Sequence, residues 1–195
     1  MIIGITGGIG SGKSTVSELF ELCGVPVYIA DSESKKLVAS SSIIRKKLIG
    51  LFGEELYEGG VLNKALLASY IFNDNEKLKL VNSIIHPEVE KHFREWVNQN
   101  RGYEIVAQEA AILFESGFNK LMDKTITVYA PSEERIRRVV ARDNVTREQV
   151  LVRIQNQMPD EEKAKLSDYV IVNDGTRSLI EQVLDIQQQL KIICK

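Results

Sequence analysis

Between Gly7 and Ser14 the chain reads Gly7-Gly8-Ile9-Gly10-Ser11-Gly12-Lys13-Ser14, a complete match to the spacing G-x-x-x-x-G-K-[ST]. Glycines let a backbone turn sharply and bring its N–H groups close to anionic oxygens. The ammonium of Lys13 and the hydroxyl of Ser14 follow, where a triphosphate needs a cation and a Mg²⁺ ligand. The predicted chemistry is capture of a nucleotide tail. Gly8, Gly10, Ser11, Gly12, Lys13, Ser14 and Thr15 would hold ATP, with Lys13 bridging the β- and γ-phosphates and Ser14 completing the Mg²⁺ shell. The motif lies between the apolar run Ile2 to Thr6 and a helix with Val16, Leu19, Phe20 and Cys23 at i, i+3, i+4 and i+7, stopped by Gly24. That helix aims its positive end at the phosphates. A glycine-rich turn with no ligand is the alternative, and it leaves this placement unexplained.

Phosphoryl transfer to an alcohol further needs a base near the acceptor, a carboxylate on the metal side and cations over the developing charge. Asp31 closes the second apolar run, where it removes or orients a hydroxyl proton, caps a helix begun by Ser32-Glu33-Ser34, or does both. Glu109 ends the third run, as a metal-organising acid or a solvated strand end. Arg138 and Arg142 are four apart, on one helical face, facing either phosphates or solvent. His86-Pro87 closes one helical stretch and opens the next, so His86 binds a ligand or merely caps and packs.

The elements that must position these groups are legible as runs. Ile2 to Thr6, Val25 to Ala30, Ile105 to Ala107 with its flanks, Thr125 to Ala130 and Tyr169 to Val172 are short and β-branched rather than alternating. Such runs suit strands covered on both faces, hence a parallel sheet flanked by helices. After Asn173-Asp174-Gly175, a last helix carries Leu179, Val183, Ile186, Leu190 and Ile193 on one stripe. Residues 32–102 hold several helical pieces, too long for an ordinary crossover of ~2–6 residues; they form a substrate-binding subdomain or a decorated crossover. Residues 132–167 carry Arg135, Arg137, Arg138 and Arg142 and then Thr146-Arg147-Glu148-Gln149, a capping-box pattern. This stretch is expected to be a basic helical lid. The core is then 1–31, 103–131 and 168–195 of a single domain.

Composition removes several classes. With 44% hydrophobic and 27% charged residues and a net charge of −2, the chain is an ordinary globular one without a field for nucleic acid. No run approaches the ~18 apolar residues of a membrane span, and the opening residues do not form a secretion signal. Cys23 and Cys194 make neither a metal cluster nor a disulfide framework. The expectation is a cytoplasmic protein, monomeric or weakly homo-oligomeric, whose partners are small molecules rather than nucleic acid or membrane. A guanine reader needs Asn-Lys-x-Asp, and Asn119-Lys120-Leu121-Met122 lacks the carboxylate; no D-x-x-G switch segment is present. A small-molecule kinase remains, ahead of a regulatory module without catalysis.

The sequence also resembles the dephospho-CoA kinase family, nearly end to end. Ile5-Thr6-Gly7-Gly8-Ile9-Gly10-Ser11-Gly12-Lys13-Ser14-Thr15 is similar to that family's phosphate loop. Ala30-Asp31 resembles the close of its Asp-Ala-Asp segment, Ile85-His86-Pro87 its His-Pro element, and Ile112-Leu113-Phe114-Glu115-Ser116-Gly117 its Leu-Leu-Phe-Glu segment. Arg138, Arg142-Asp143 and Arg153-Ile154-x-x-Gln157 fall where its lid carries arginines and a glutamine. Ser167 to Gly175 resembles its Asp-x-x-Ile-x-Asn-x-Gly strand and turn. The sequence departs from the pattern at Ile29, in place of the first Asp, at Lys35, in place of an Arg, and at Glu109-Ala110-Ala111, in place of Asp-x-Pro.

The resemblance implies an α/β, three-layer P-loop kinase fold with a five-stranded parallel sheet, an inserted helical substrate subdomain and a helical lid. It implies ATP-dependent phosphorylation of the ribose 3′-hydroxyl of dephospho-CoA, with Mg²⁺, giving CoA and ADP. Asp31, Lys13, Arg138 and Arg142 would then be catalytic, and Asn173 and Gly175 would lie by the adenine. Asp31, Lys35, His86 and Glu115 would lie on the substrate side. Another small P-loop kinase, acting on a nucleoside monophosphate or a small alcohol, is the competing reading.

Overall fold

The computed structural model describes residues 1–72 and 74–194. In chain order its elements are β1 (Ile2–Thr6), α1 (Lys13–Leu22), β2 (Val27–Ile29), α2 (Ala30–Ser40), α3 (Ser42–Phe52), β3 (Tyr57–Glu58), β4 (Val61–Leu62), α4 (Lys64–Ile71) and α5 (Asn75–Gln99). There follow β5 (Val106–Glu109), β6 (Lys124–Tyr129), α6 (Ser132–Asp143), α7 (Arg147–Gln155), α8 (Asp160–Leu166), β7 (Tyr169–Val172) and α9 (Leu179–Ile193). Two compact units result, one of Met1–Ile29 with Gln99–Lys195, the other of Ala30–Asn98.

The first unit is built on a five-stranded sheet of order β2-β5-β1-β6-β7, parallel at every pairing. The central strand β1 is buried along nearly its whole length, as continuous apolar runs require when both faces are covered. Ile3, Ile5, Ile126, Val128 and Ile171 from the strands share one cluster with Val16 and Phe20 of α1 and Val183, Ile186 and Leu190 of α9. Each such fully buried side chain contributes about 1.5–3 kcal/mol relative to exposure. The Gln187 side chain donates to the Cys23 carbonyl at 2.9 Å, joining α9 to the end of α1. The Val25–Ala30 run yields only three strand residues. Pro26 has no N–H to give the ladder, and its carbonyl accepts from Ala107 at 2.8 Å.

Asp31 does not end the strand, as the run suggested, but lies in the first turn of α2. A carboxylate is favoured there by the helix dipole, and the strand stops two residues earlier.

The second unit has its own core of Ile44, Leu48, Leu56, Tyr57, Leu67, Val81 and Ile84. It also holds the β3–β4 antiparallel pair, Tyr57 facing Leu62. Asn63 caps α4 by accepting from Leu66 N–H at 3.0 Å, and Ser41 caps α3 through Ile44 N–H at 3.3 Å. The break expected at His86-Pro87 is absent: α5 runs on through Pro87 as one helix. An interior proline costs about 3 kcal/mol. Val81, Ile84, Val89 and Phe93 are buried on either side of it, and that continuous stripe offsets the lost bond.

Candidate active site

The phosphate loop joins β1 to α1. Ser11 N–H donates to the Gly8 carbonyl at 3.1 Å, closing a tight turn. Gly10 and Gly12 have φ of 80° and 96°, a region L side chains rarely adopt, and Gly12 is the N-cap of α1. No side chain caps α1 and no acidic residue occupies its first turn, so its positive end faces a position suited to an anion. A Cβ on Gly10 would press against Val139 Cγ2 at 2.9 Å, and one on Gly12 would run into Asn173 Nδ2. Glycine at these positions lets the loop pack directly against α6 and Asn173. Ser14 and Thr15 are exposed in the first turn of α1, open to a ligand.

Lys13 Nζ lies 3.9 Å from Glu109 Oε1, both side chains nearly buried. Glu109 closes β5, paired with Ile5 of β1 and Ile29 of β2. It therefore stands at the C-terminal edge of the sheet, where ligands of open α/β sheets bind. The donor set, an exposed hydroxyl on Ser14 and a carboxylate beside the phosphate loop, fits a hard, oxygen-seeking cation such as Mg²⁺.

Helix α6 follows β6 and brings its arginines to different surroundings. Arg138 Nε donates to Glu134 at 2.9 Å and its Nη2 to the Asn173 carbonyl at 3.1 Å. Its Nη1 is buried and has no hydrogen-bond partner among the described residues. Arg142 lies further out, donating to Asp143 at 2.7 Å, and that pairing raises its pKa. The Thr146 capping box forms as the sequence predicts: Gln149 N–H donates to Thr146 Oγ1 at 3.3 Å, and Thr146 N–H to Gln149 Oε1 at 3.0 Å.

The turn from α7 into α8 returns to the loop. Asp160 Oδ1 accepts from Gly8 N–H at 2.7 Å, and Gln157 Oε1 from Ile9 N–H at 2.9 Å. Arg135 Nε donates to the Ile9 carbonyl at 3.0 Å, and Arg135 Nη1 lies 2.8 Å from Asp160 Oδ2. That last contact is charge against charge off the hydrogen-bond line, since Oδ2 accepts no aligned N–H. Burial raises the Asp160 pKa, while Arg135, the Gly8 N–H and two lysines pull against the rise.

Glu115 serves the same turn. Its Oε1 accepts from Met158 N–H at 2.8 Å and lies 3.0 Å from the fully buried Lys163 Nζ. Lys163 also donates to the Ala111 carbonyl. The carboxylate assigned to substrate from sequence is thus already held by backbone and lysine of its own chain.

Asn173 sits at the end of β7, its side chain donating to the Ser11 carbonyl at 2.8 Å. Gly175 two residues on has φ of 84° in the turn into α9. In the second unit Asp31 and Lys35 are exposed and four apart on α2, hence on one face. His86 is half-buried on α5, and burial lowers its pKa.

Sequence reasoning missed Asp160 and Lys163 and placed Arg135 among the arginines of a basic lid without giving it a partner. Pro159 before Asp160-Glu161-Glu162 is a helix-start signal that could have located α8. Nothing local announces a partner 152 residues away.

A glycine cradle at the C-terminal edge of a parallel sheet, with a lysine inside and arginine-bearing helices joined to it, defines a P-loop kinase. A family model for dephospho-CoA kinase matches residues 1–178. The dephospho-CoA kinase of Bacteroides fragilis (strain YCH46) is 51% identical, over 98% of this chain and 96% of its own. The crystal structure of TT1252 from Thermus thermophilus superposes with a TM-score of 0.87 at 39% identity, covering 97% of this chain and 96% of that one. The fold is shared also with the dephospho-CoA kinase of Campylobacter jejuni, at a TM-score of 0.73 and 23% identity over 100% and 98% of the two chains. The chain belongs to the dephospho-CoA kinase family.

Proposed function

We propose that this chain moves the γ-phosphoryl group of ATP to the ribose 3′-hydroxyl of dephospho-CoA, giving CoA and ADP. The observation that carries the reading is the Gly7–Thr15 cradle with Lys13 inside it and Glu109 at 3.9 Å, in a chain of this family. The substrate oxygen forms a bond to Pγ, the Pγ–O bond to ADP breaks, and the hydroxyl proton leaves.

Asp31, exposed in the first turn of α2, takes that proton or orients the hydroxyl that loses it. Lys13 holds the β- and γ-phosphates, and Arg138 offsets the charge that develops on the transferred group. Arg142, which pairs with Asp143, is the second lid arginine. Ser14, with Glu109 nearby, would hold Mg²⁺, whose charge would offset that of the phosphates. Helices α6 to α8 act as the lid, and Lys35 and His86 of the helical unit take the acceptor. Residues Asn173 and Gly175 shape the adenine side.

Among the described residues no helix is long and apolar enough to cross a membrane.

The test is Asp31→Asn. ATP binding is expected intact and turnover with dephospho-CoA reduced by about 10²–10⁴, the usual worth of a placed acid or base. Undiminished turnover would take the role from Asp31.

A further inference from the structure

Two consecutive peptides of the phosphate loop, at Gly8 and Ile9, present N–H groups not to solvent but to side chains of the turn entering α8. Asp160 Oδ1 takes the first at 2.7 Å and Gln157 Oε1 the second at 2.9 Å. The carbonyl of the next peptide, that of Ile9, is fixed by Arg135 Nε at 3.0 Å. Arg135 and Asp160 are then joined to each other at 2.8 Å, with side chains only 6% and 1% exposed. The ring closes on itself: Gly8 to Asp160, Asp160 to Arg135, Arg135 to Ile9.

With the Gly8 and Ile9 N–H groups and the Ile9 carbonyl all held, three successive planar peptides have little freedom to rotate. The next residues, Gly10 to Ser14, are those whose N–H groups must converge on phosphate oxygens. Glycines at Gly10 and Gly12 give this stretch its shape and also a wide choice of other shapes. An outside constraint is needed to select one.

We propose that Asp160 and Arg135 are positioning residues for ATP, a buried ion pair that orients the Gly8 and Ile9 peptides and so presets the phosphate-binding amides. Gln157 assists at Ile9. The pair touches no reacting atom and acts through the loop. A buried carboxylate is used because its charge strengthens the bond to Gly8 N–H, and Arg135 is the countercharge that makes its burial tolerable. The same ring roots α6 and α8 on the loop, since Arg135 belongs to the first turn of one and Asp160 to the first turn of the other. Ile9 joins Ile136, Val139 and Val150 in a small apolar cluster that backs the arrangement.

The role rests on the loop's binding ATP but not on which alcohol accepts the phosphoryl group, so ATP and ADP are the probes. Steady-state constants for ATP and for dephospho-CoA, with ADP titration calorimetry, would be measured for Asp160→Ala, Asp160→Asn and Arg135→Lys. Asp160→Ala is expected to raise the ATP KM and the ADP Kd by roughly ten- to a hundredfold, as for a lost hydrogen bond to a charged group. The dephospho-CoA KM is expected to stay within twofold. Asp160→Asn keeps a carbonyl oxygen for Gly8 N–H and is expected to recover most of the nucleotide affinity. A merely structural pair would lower the melting temperature of all three variants and leave the ATP constants alone, and that outcome overturns the proposal. Should the alanine variant not fold, the unaltered protein decides. The Gly8 amide is expected to resist hydrogen exchange both free and with ADP bound, and rapid exchange of it in the ADP complex also overturns the brace. Failure of the unaltered protein to phosphorylate dephospho-CoA while it still binds ADP would speak against the acceptor and not against this pair.

Discussion

The side-chain amide of Asn173 donates to the carbonyl of Ser11 at 2.8 Å, tying the end of β7 to the phosphate loop across 162 positions of chain. The Asn173 carbonyl in turn accepts from Arg138 at 3.1 Å, so one residue links sheet, loop and lid arginine. Removing its amide in Asn173→Ala frees the loop carbonyl and is expected to lower kcat/KM for ATP roughly three- to tenfold, the worth of one neutral hydrogen bond. Asn173→Asp should be worse, because a carboxylate oxygen would then face the Ser11 carbonyl. Steady-state kinetics on both variants decide this, and equal activity in all three chains would remove Asn173 from the site's support.

Gly12 stands in the same contact. Its φ of 96° is strained for any other residue, and an added methyl would meet Asn173 Nδ2. Gly12→Ala should lose about 1–3 kcal/mol in urea unfolding. Part of that is the clash, so adding Asn173→Ala should return some of it, and the two changes should not be additive. Simple additivity would mean that backbone strain accounts for the whole loss.

Lys13→Ala should leave the circular dichroism spectrum unchanged and cut turnover by about 10²–10³ or more, the loss seen when one transition-state charge stabiliser is removed. Glu109, 7% exposed, loses the lysine's nearby positive charge in that variant. Full activity would show that the ammonium is not on the phosphates.

Acid should destabilise the fold in two stages. His86 has its pKa lowered by burial, so the unfolded chain binds its proton at a higher pH than the folded one does. Stability from this group is complete well above its ordinary value of about 6.5 and falls as pH drops through that value towards the folded one. His86→Gln should flatten this part of a melting-temperature profile. At Asp168, burial would raise the pKa, but bonds from Lys124 and from Thr125 outweigh it and hold the carboxyl low. Its contribution persists to lower pH and is lost only as the solution falls from about 4 through the folded value. A profile flat from neutrality to pH 5 in the unaltered protein would contradict the first stage.

The residue pattern made legible what depends on near neighbours. The phosphate loop, the stripe of α1, the stripe of α9 from Leu179 to Leu190 and the Thr146–Gln149 capping box are each set within a few residues, and each forms where its pattern lies, only Ile193 of the last stripe being exposed. The five strands were equally plain, because buried parallel strands need unbroken apolar runs. Two local signals misled. Pro87 reads as a boundary, yet tertiary burial on both sides carries α5 through it. Asp31 reads as a strand end, yet a helix begins one residue before it. The clamp of Asp160 with Arg135 and that of Glu115 with Lys163 were hidden for another reason. Their partners are distant in sequence, and a charged residue's burial is fixed by the fold around it.

The most direct test of the proposed reaction is acceptor-dependent phosphoryl transfer with the purified chain, ATP and Mg²⁺, with products identified by mass spectrometry. Dephospho-CoA should give ADP and CoA in equal amounts, the new phosphate on the ribose 3′-oxygen, with little transfer to nucleoside monophosphates. ADP formed without CoA, or faster transfer to a nucleoside monophosphate than to dephospho-CoA, would contradict it.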